Sequence, residues 1–170
     1  MNVDPEQLQI VLHPDPVLRR KAKPVEAIDE NIRQIARRML HLMHEAPGVG
    51  LAAPQVGLEL RMFVANATRE AENDRVYINP VLSNPSRETE DYEEGCLSLP
   101  GINAEIRRPV GVTITAQDLN GETFTETDHE LPARIWQHEY DHLDGVLILD
   151  RMTRLDKLAN RKALKELERG

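Results

Sequence analysis

Two histidines four residues apart, with a glutamate directly after the first, constrain residues 138–142: His138-Glu139-Tyr140-Asp141-His142. At about 3.6 residues per turn, positions i and i+4 lie only ~40° apart around a helix, so both imidazoles leave from one face and can bind one ion. Glu139, one step round, flanks that face. It can hydrogen-bond a water on the ion without being a ligand. A chance H-[DE]-x-x-H is expected about 3 times in 100 chains of this composition, so two unconnected histidines are the weaker reading.

The surrounding pattern supports a helix there. Residues 132–143 carry Pro132 in the first turn and Gly145 just past the end, both ordinary helix punctuation. Upstream, Ile32, Ile35, Ala36, Met39, Leu42 and Met43 fall at helical spacing, with Asp29 as N-cap and Pro47-Gly48 as the stop. Residues 153–168 predict a last helix, with Leu155, Leu158, Ala159, Leu164 and Leu167 on one side and Thr153 with Asp156 resembling a capping box. Between the first two helices, residues 60–66 and 75–79 read as strands. Residues 112–116 and 122–127 flank Asn120-Gly121, a strong hairpin signal. The expected fold class is α+β: antiparallel or mixed sheets packed around a central helix that carries the two histidines, with one helix N-terminal and one C-terminal to it.

A length of 170 residues suits one catalytic domain, and no repeat or long linker divides it, so residues 1–170 are expected to form a single unit. The formal net charge is −8, which argues against DNA or an anionic membrane as partner. The first residues have neither a basic nor an apolar targeting region, and no stretch approaches the ~18 apolar residues of a membrane span. A soluble, cytoplasmic protein is the expectation.

A catalytic metal site usually has three protein ligands and an open position, so a third ligand is needed. Ile148 stands where the metzincin pattern requires its third histidine, although Gly145 matches the glycine of that pattern. Glu166 and Glu168 lie in the last turn of a charged helix, where solvated carboxylates are the ordinary expectation. The chain has a single cysteine, Cys96, which excludes an internal disulfide. Its thiolate is a soft ligand suited to Zn or Fe, although a buried inert thiol is an equal reading of Cys96 alone. It sits in Glu93-Glu94-Gly95-Cys96-Leu97-Ser98, after two acids and a glycine. A third segment, residues 48–57, is rich in glycine and alanine, which lets backbone approach closely, and its Gln55 offers an amide N–H to an oxyanion.

Three motifs, in this order, resemble the peptide deformylase family: G-x-G-L-A-A-x-Q over residues 48–55, E-G-C-L-S over 94–98 and Q-H-E-x-D-H-L over 137–143. The likeness runs from about Val11 to the C-terminus, and the spacing between Gln55 and Cys96 is that of the compact form of the family. The resemblance implies removal of the formyl group from the N-terminal formylmethionine of new polypeptides. By it, Cys96, His138 and His142 are the ligands of one divalent metal, usually Fe(II), with Zn(II) or Ni(II) able to fill the site. Glu139 is the acid/base. The side chain of Gln55 and the backbone N–H of Leu97 are the oxyanion donors, and Glu94 pairs with Arg108 to fix the loop of Cys96. Gly48 and Gly50 bring backbone close to the substrate, and Val49, Leu131 and Ile135 are candidates for the methionine pocket.

Two other readings stay open at this stage. A cysteine amidase with Cys96 as nucleophile leaves the second histidine and Glu139 without a task. A closed structural metal site would need a fourth ligand, such as His44 or His129. Arg161, Lys162, Lys165 and Arg169 could give the last helix a transient ribosome contact, as in some relatives, but a solvated face is the preferred reading.

Overall fold

The expected first helix forms as α1 (Glu30–Glu45), and the computed structural model, which describes residues 2–170, shows how its start is fixed. The Asp29 carboxylate accepts the Ile32 N–H at 2.9 Å, a cap worth about 1 kcal/mol. All six residues of its apolar stripe are buried. Among the described residues seven strands follow: β1 (Gly50–Ala52), β2 (Met62–Ala65), β3 (Arg75–Ser83), β4 (Thr89–Gly95), β5 (Asn103–Pro109), β6 (Val112–Gln117) and β7 (Thr123–Asp128). Five of them form an antiparallel sheet in the order β1-β2-β3-β6-β7, while β4 and β5 pair only with each other.

Strand alternation sorts the core into layers. Met62 and Val64 of β2 join the cluster around α1, whereas Phe63 and Ala65 face the other way, towards Ala133, Ile135, Trp136 and Leu143 of α2 (Leu131–Leu143). The helix with the two histidines thus lies against the face of the sheet opposite α1. The β4–β5 hairpin covers another side of α2, tied to it by ion pairs and carbonyl contacts. Ala104 and Ile106 of β5 join a third cluster with Leu18, Leu99 and Ile148. The α+β class and the central helix are therefore as expected.

Several local features extend or correct the expectations. Strand β3 runs four residues beyond Asn79, through a bulge where Asn79 is left-handed (φ 51°) and Pro80 has no N–H to give the ladder. The turn between β6 and β7 spans residues 118–122; in it the Gly121 N–H reaches the Asp118 carbonyl at 3.0 Å and Gly121 takes φ 80°. Beyond α2, Gly145 adopts φ 72°, and a Cβ there would lie 2.5 Å from the Arg19 carbonyl oxygen, so the chain can leave the helix here only with glycine.

The last helix is not continuous. It divides into α3 (Arg154–Ala159) and α4 (Arg161–Arg169) at Asn160, whose side-chain amide donates to the carbonyls of Asn103 and Asp156. That break rotates the apolar side. Leu164 and Leu167 pack on the third cluster, but Leu155 and Leu158 are 78% and 65% exposed, contrary to a single buried stripe. Thr153 caps α3 by accepting the Asp156 N–H at 3.1 Å. No helix is long and apolar enough to cross a membrane, among the described residues.

Candidate active site

Helix α2 presents His138, Glu139 and His142, and the turn after β4 presents Cys96. Leu99 N–H closes that turn on the Cys96 carbonyl at 2.9 Å. The thiol sulfur and one ring nitrogen of each histidine lie within 4.8 Å of one another, and Cys96 Sγ stands 3.5 Å from His142 Nε2. Metal–sulfur and metal–nitrogen bonds of about 2.3 and 2.1 Å at a tetrahedral angle put those two atoms about 3.6 Å apart. The donors are therefore already spaced for one ion. Neither candidate for a fourth ligand joins them: His44 bonds Asp74 at 2.7 Å, and the His129 ring packs over Gly111. Of the C-terminal carboxylates, Glu168 pairs with His13 instead.

The orientation of His138 is set from behind. Its Nδ1 lies 2.8 Å from the Glu94 carboxylate, so Nδ1 carries the proton and Nε2 is left to face the donor cluster. Glu94 in turn receives two bonds from Arg108, at 2.6 and 2.9 Å, and one from Arg134 at 2.6 Å. Arg108 also donates to Asp141 at 2.9 Å, and Asp141 accepts a further bond from Arg151 at 2.8 Å. Burial alone would raise the Glu94 carboxyl, but Arg108 and His138 outweigh it and hold the group well below the usual carboxylate range. The expected pairing of Glu94 with Arg108 is present, and both side chains are almost fully buried.

Burial pushes the Glu139 carboxyl up to about 7, with the neighbouring His138 acting in the opposite direction. One of its oxygens, Oε1, is buried without a hydrogen-bond partner in the protein, which is how a carboxylate waiting for a water or a metal-side group looks. Burial also disfavours charge on His138, yet Glu139, Cys96 and Glu94 prevail and hold its pKa well above the usual value. The acidic field that favours a proton on His138 would equally favour a divalent cation beside it. His142 is pushed the other way, by burial and by His138, so it is a neutral donor. Donor type, spacing, fixed tautomer and an unpaired carboxylate oxygen together fit a resident metal ion.

A cleft of about 340 Å³ opens over these residues. Gly48, Val49, Gly50, Leu131 and Ile135 all line it, as do Gln55, Leu97 and Glu139, so the structure brings together the residues read from the sequence. His142 is 2% exposed and lies behind the cleft, and Arg108 is likewise buried beneath it. Gln55 sits in a single 3-10 turn, Ala53–Val56, directly after β1. Its carbonyl oxygen accepts the Ala52 N–H at 3.0 Å, which turns its amide nitrogen towards Ser98 Oγ (3.2 Å) and Cys96 Sγ (3.5 Å). Gly48 packs closely on Leu97, whose Cδ1 would lie 2.9 Å from an added Cβ, so a larger residue here would have to displace the end of that side chain.

Three residues of this centre were not among the sequence candidates: Arg134, Asp141 and Ser98. Arg134 and Asp141 lie four residues before and three after His138, on or near its helical face, which was the available signal. Ser98 follows the cysteine by two residues, and only the approach of Gln55 gives it meaning.

Comparison with known proteins bears on what this geometry belongs to. The family model described as polypeptide deformylase matches residues 7–158. A peptide deformylase of Pseudomonas aeruginosa is 41% identical over 162 residues, covering 95% of this chain and 96% of its own length. Peptide deformylase 1B of Arabidopsis thaliana, chloroplastic/mitochondrial, is 44% identical over 95% of this chain, but the chain spans only 60% of that relative. Among solved structures, peptide deformylase from Plasmodium falciparum superposes with a TM-score of 0.92 at 41% identity, covering 95% of both chains. The family model covers most of the chain and the relatives exceed 40% identity, so the chain belongs to the polypeptide deformylase family.

Proposed function

We propose that this chain, acting as one catalytic domain in the cytoplasm, removes the formyl group from the N-terminal formylmethionine of newly made polypeptides. Formate and a free amine are the products. The observation that carries the reading is the cluster of Cys96, His138 and His142 donors beside a buried, partly unpaired Glu139 on a narrow cleft. Cys96, His138 and His142 would hold one divalent ion, Fe(II) in the first place, with Zn(II) or Ni(II) able to use the same donors. When bound, such an ion supplies Lewis acidity, polarising a carbonyl and lowering the pKa of water from 15.7 towards about 7.

The protein groups divide the remaining work. Glu139 takes a proton from the attacking water and passes it to the departing amine nitrogen. As the formyl carbon becomes tetrahedral, its oxygen gains charge. The Gln55 side-chain amide and the Leu97 backbone N–H stabilise it, donors worth about 3 kcal/mol each in a desolvated site. Glu94 keeps the His138 ring in one tautomer and orientation, and Arg108 keeps Glu94 ionised. Gly48 and Gly50 let the substrate backbone approach, while Val49, Leu131 and Ile135 offer an apolar surface to the methionine side chain.

Arg161, Lys162, Lys165 and Arg169 are exposed on α4, and we read that face as solvated. Salt-sensitive cosedimentation with ribosomes would reveal a transient contact instead. The central reading is tested by metal analysis and formyl-Met-peptide turnover on one anaerobically purified sample. Iron near one per chain, together with turnover, is expected. Fully metallated protein that leaves the formyl peptide intact would overturn it.

A further inference from the structure

Arg134 stands one turn before His138 on α2, and its guanidinium is spent on the β4–β5 hairpin. Nη1 donates to the Glu94 carboxylate at 2.6 Å and to the Ile106 carbonyl at 2.9 Å, and Nη2 donates to the Glu90 carbonyl at 2.7 Å. The Tyr92 ring covers the guanidinium, its centroid 5.3 Å from the central carbon. One side chain thereby holds both strands, Glu90 and Glu94 on β4 and Ile106 on β5.

Charge balance does not explain this arrangement. Glu94 already has a bidentate partner in Arg108, and two of the three Arg134 bonds go to neutral carbonyls. Other residues of α2 also grip the hairpin: Gln137 at the Pro109 carbonyl and Asp141 at Arg108 hold β5, and the metal-site residue His138 meets Glu94 of β4 through Nδ1. Arg134 alone among these four bonds the backbone of β4 and reaches both strands at once, and β4 is the strand whose last residue, Gly95, precedes Cys96. The side chain is 11% exposed, and three bonds hold its planar fork in one place, two of them part-buried and the one to Glu90 at the surface.

We propose that Arg134 is a positioning residue for the metal centre: it clamps the hairpin that carries Cys96 to the helix that carries His138 and His142, and so sets the span between thiolate and imidazoles. This rests on the metal-site reading above. Removing the fork frees β4 to shift along α2 and takes one partner from Glu94, so both the sulfur and the His138 ring lose part of their constraint. Residues that orient metal ligands from behind in this way typically govern affinity by about 10- to 100-fold.

The test uses Co(II), whose thiolate charge-transfer absorption reports the sulfur–metal contact and whose affinity is measured by chelator competition. Wild type, Arg134→Met and Arg134→Lys are compared, with thermal unfolding of each metal-free protein as the check on folding. Arg134→Met is expected to bind Co(II) about 10- to 100-fold more weakly, with a weakened or shifted thiolate band. Arg134→Lys should recover only part of this, because an ammonium reaches Glu94 but cannot fork across two carbonyls. Wild-type affinity and band in a folded Arg134→Met would overturn the clamp. If that variant does not fold, Arg134→Lys decides: an altered band supports the clamp, and an unaltered band with unaltered affinity overturns it. Wild-type protein that binds no Co(II) would remove the metal site itself, a separate failure from that of Arg134.

Discussion

Gly50 and Glu139 face each other so closely that a Cβ at position 50 would stand 2.5 Å from Glu139 Oε2 and 2.9 Å from its carboxyl carbon. The first strand of the sheet and the helix that carries Glu139 meet at this point with only the Glu139 side chain between them. Gly50→Ala should therefore fold, because the clash falls on the end of a side chain, but it should displace the carboxylate. Misplacement by about 1 Å can cost about 10²-fold, so kcat should fall by about 10- to 100-fold with metal content unchanged. Unchanged kcat in a metallated Gly50→Ala protein would mean that Glu139 is not held by this contact.

Cys96→Ala removes one of three donors and leaves a weak two-histidine site. Metal stoichiometry and turnover should be lost together, measured on protein purified and assayed under the same anaerobic conditions. Full occupancy with normal turnover would remove Cys96 from the ligand set.

Glu139→Gln separates binding from chemistry. The amide has nearly the same shape and leaves Cys96, His138 and His142 in place, so metal should be retained while kcat drops by about 10²- to 10⁴-fold. Loss of metal in this variant would instead make Glu139 part of the ligand set.

The same substitution gives a pH test on metal-free protein. Glu139 titrates near 7 when folded and near ~4.3 when unfolded, so the folded chain binds its proton more tightly. The resulting stabilisation is complete below the unfolded value and is lost as the pH rises through about 7. Across that window the loss is on the order of 3 kcal/mol. Glu94 has the opposite sign: its carboxyl is depressed, so its contribution is present above ~4.3 and disappears on further acidification. His138 and His142 are shifted in opposite directions and titrate in both proteins, so Glu139 is read from the difference: the stability of metal-free wild type relative to Glu139→Gln should fall between pH 5 and 8 in denaturant titrations. Parallel curves for the two proteins would contradict a raised Glu139.

Selectivity for formyl must come from the space around the donors, since the chemistry would hydrolyse many amides. An extra methyl in an apolar pocket changes binding by only about 1 to 3 kcal/mol, so strong discrimination requires acetyl to clash with rigid backbone. The close packing of Gly48 on Leu97 and of Gly50 on Glu139 leaves little room beside the donors. Formyl-Met-Ala should greatly exceed acetyl-Met-Ala in kcat/KM, and formyl-Met-Ala should exceed formyl-Asp-Ala. Equal values for the first pair would refute the deformylase reading, and equal values for the second would refute the apolar pocket.

The parts of this molecule that could be read from its sequence are those whose signals are local. The cap at Asp29, the period of α1 and the Asn120-Gly121 turn each depend on a few neighbouring residues, and each appears where expected. Strand β4 has no such signal: in Thr-Glu-Asp-Tyr-Glu-Glu-Gly only Glu94 is buried, and its partner β5 hides Arg108 at a position where a pattern looks for an apolar residue. The break at Asn160 was invisible for a similar reason, because half of what holds it is the carbonyl of Asn103, 57 residues away. Arg134 is the extreme case. A charged residue in a helix reads as solvated, and every bond that gives it a role comes from a hairpin that only the tertiary fold supplies.

The two unspecified positions in H-E-x-x-H are far from arbitrary in this chain. Tyr140 lies beneath the Arg61 guanidinium, 5.3 Å from it, and Asp141 joins Arg108 to Arg151. Since Arg108 holds Glu94 and Glu94 holds His138, the ring orientation of the first histidine depends on a side chain three residues further along the same motif. A designer who grafted His138-Glu139-Tyr140-Asp141-His142 onto a foreign helix would transplant the donors and leave behind what aims them. To move this centre intact, the smallest transferable piece is the helix together with its two-stranded hairpin.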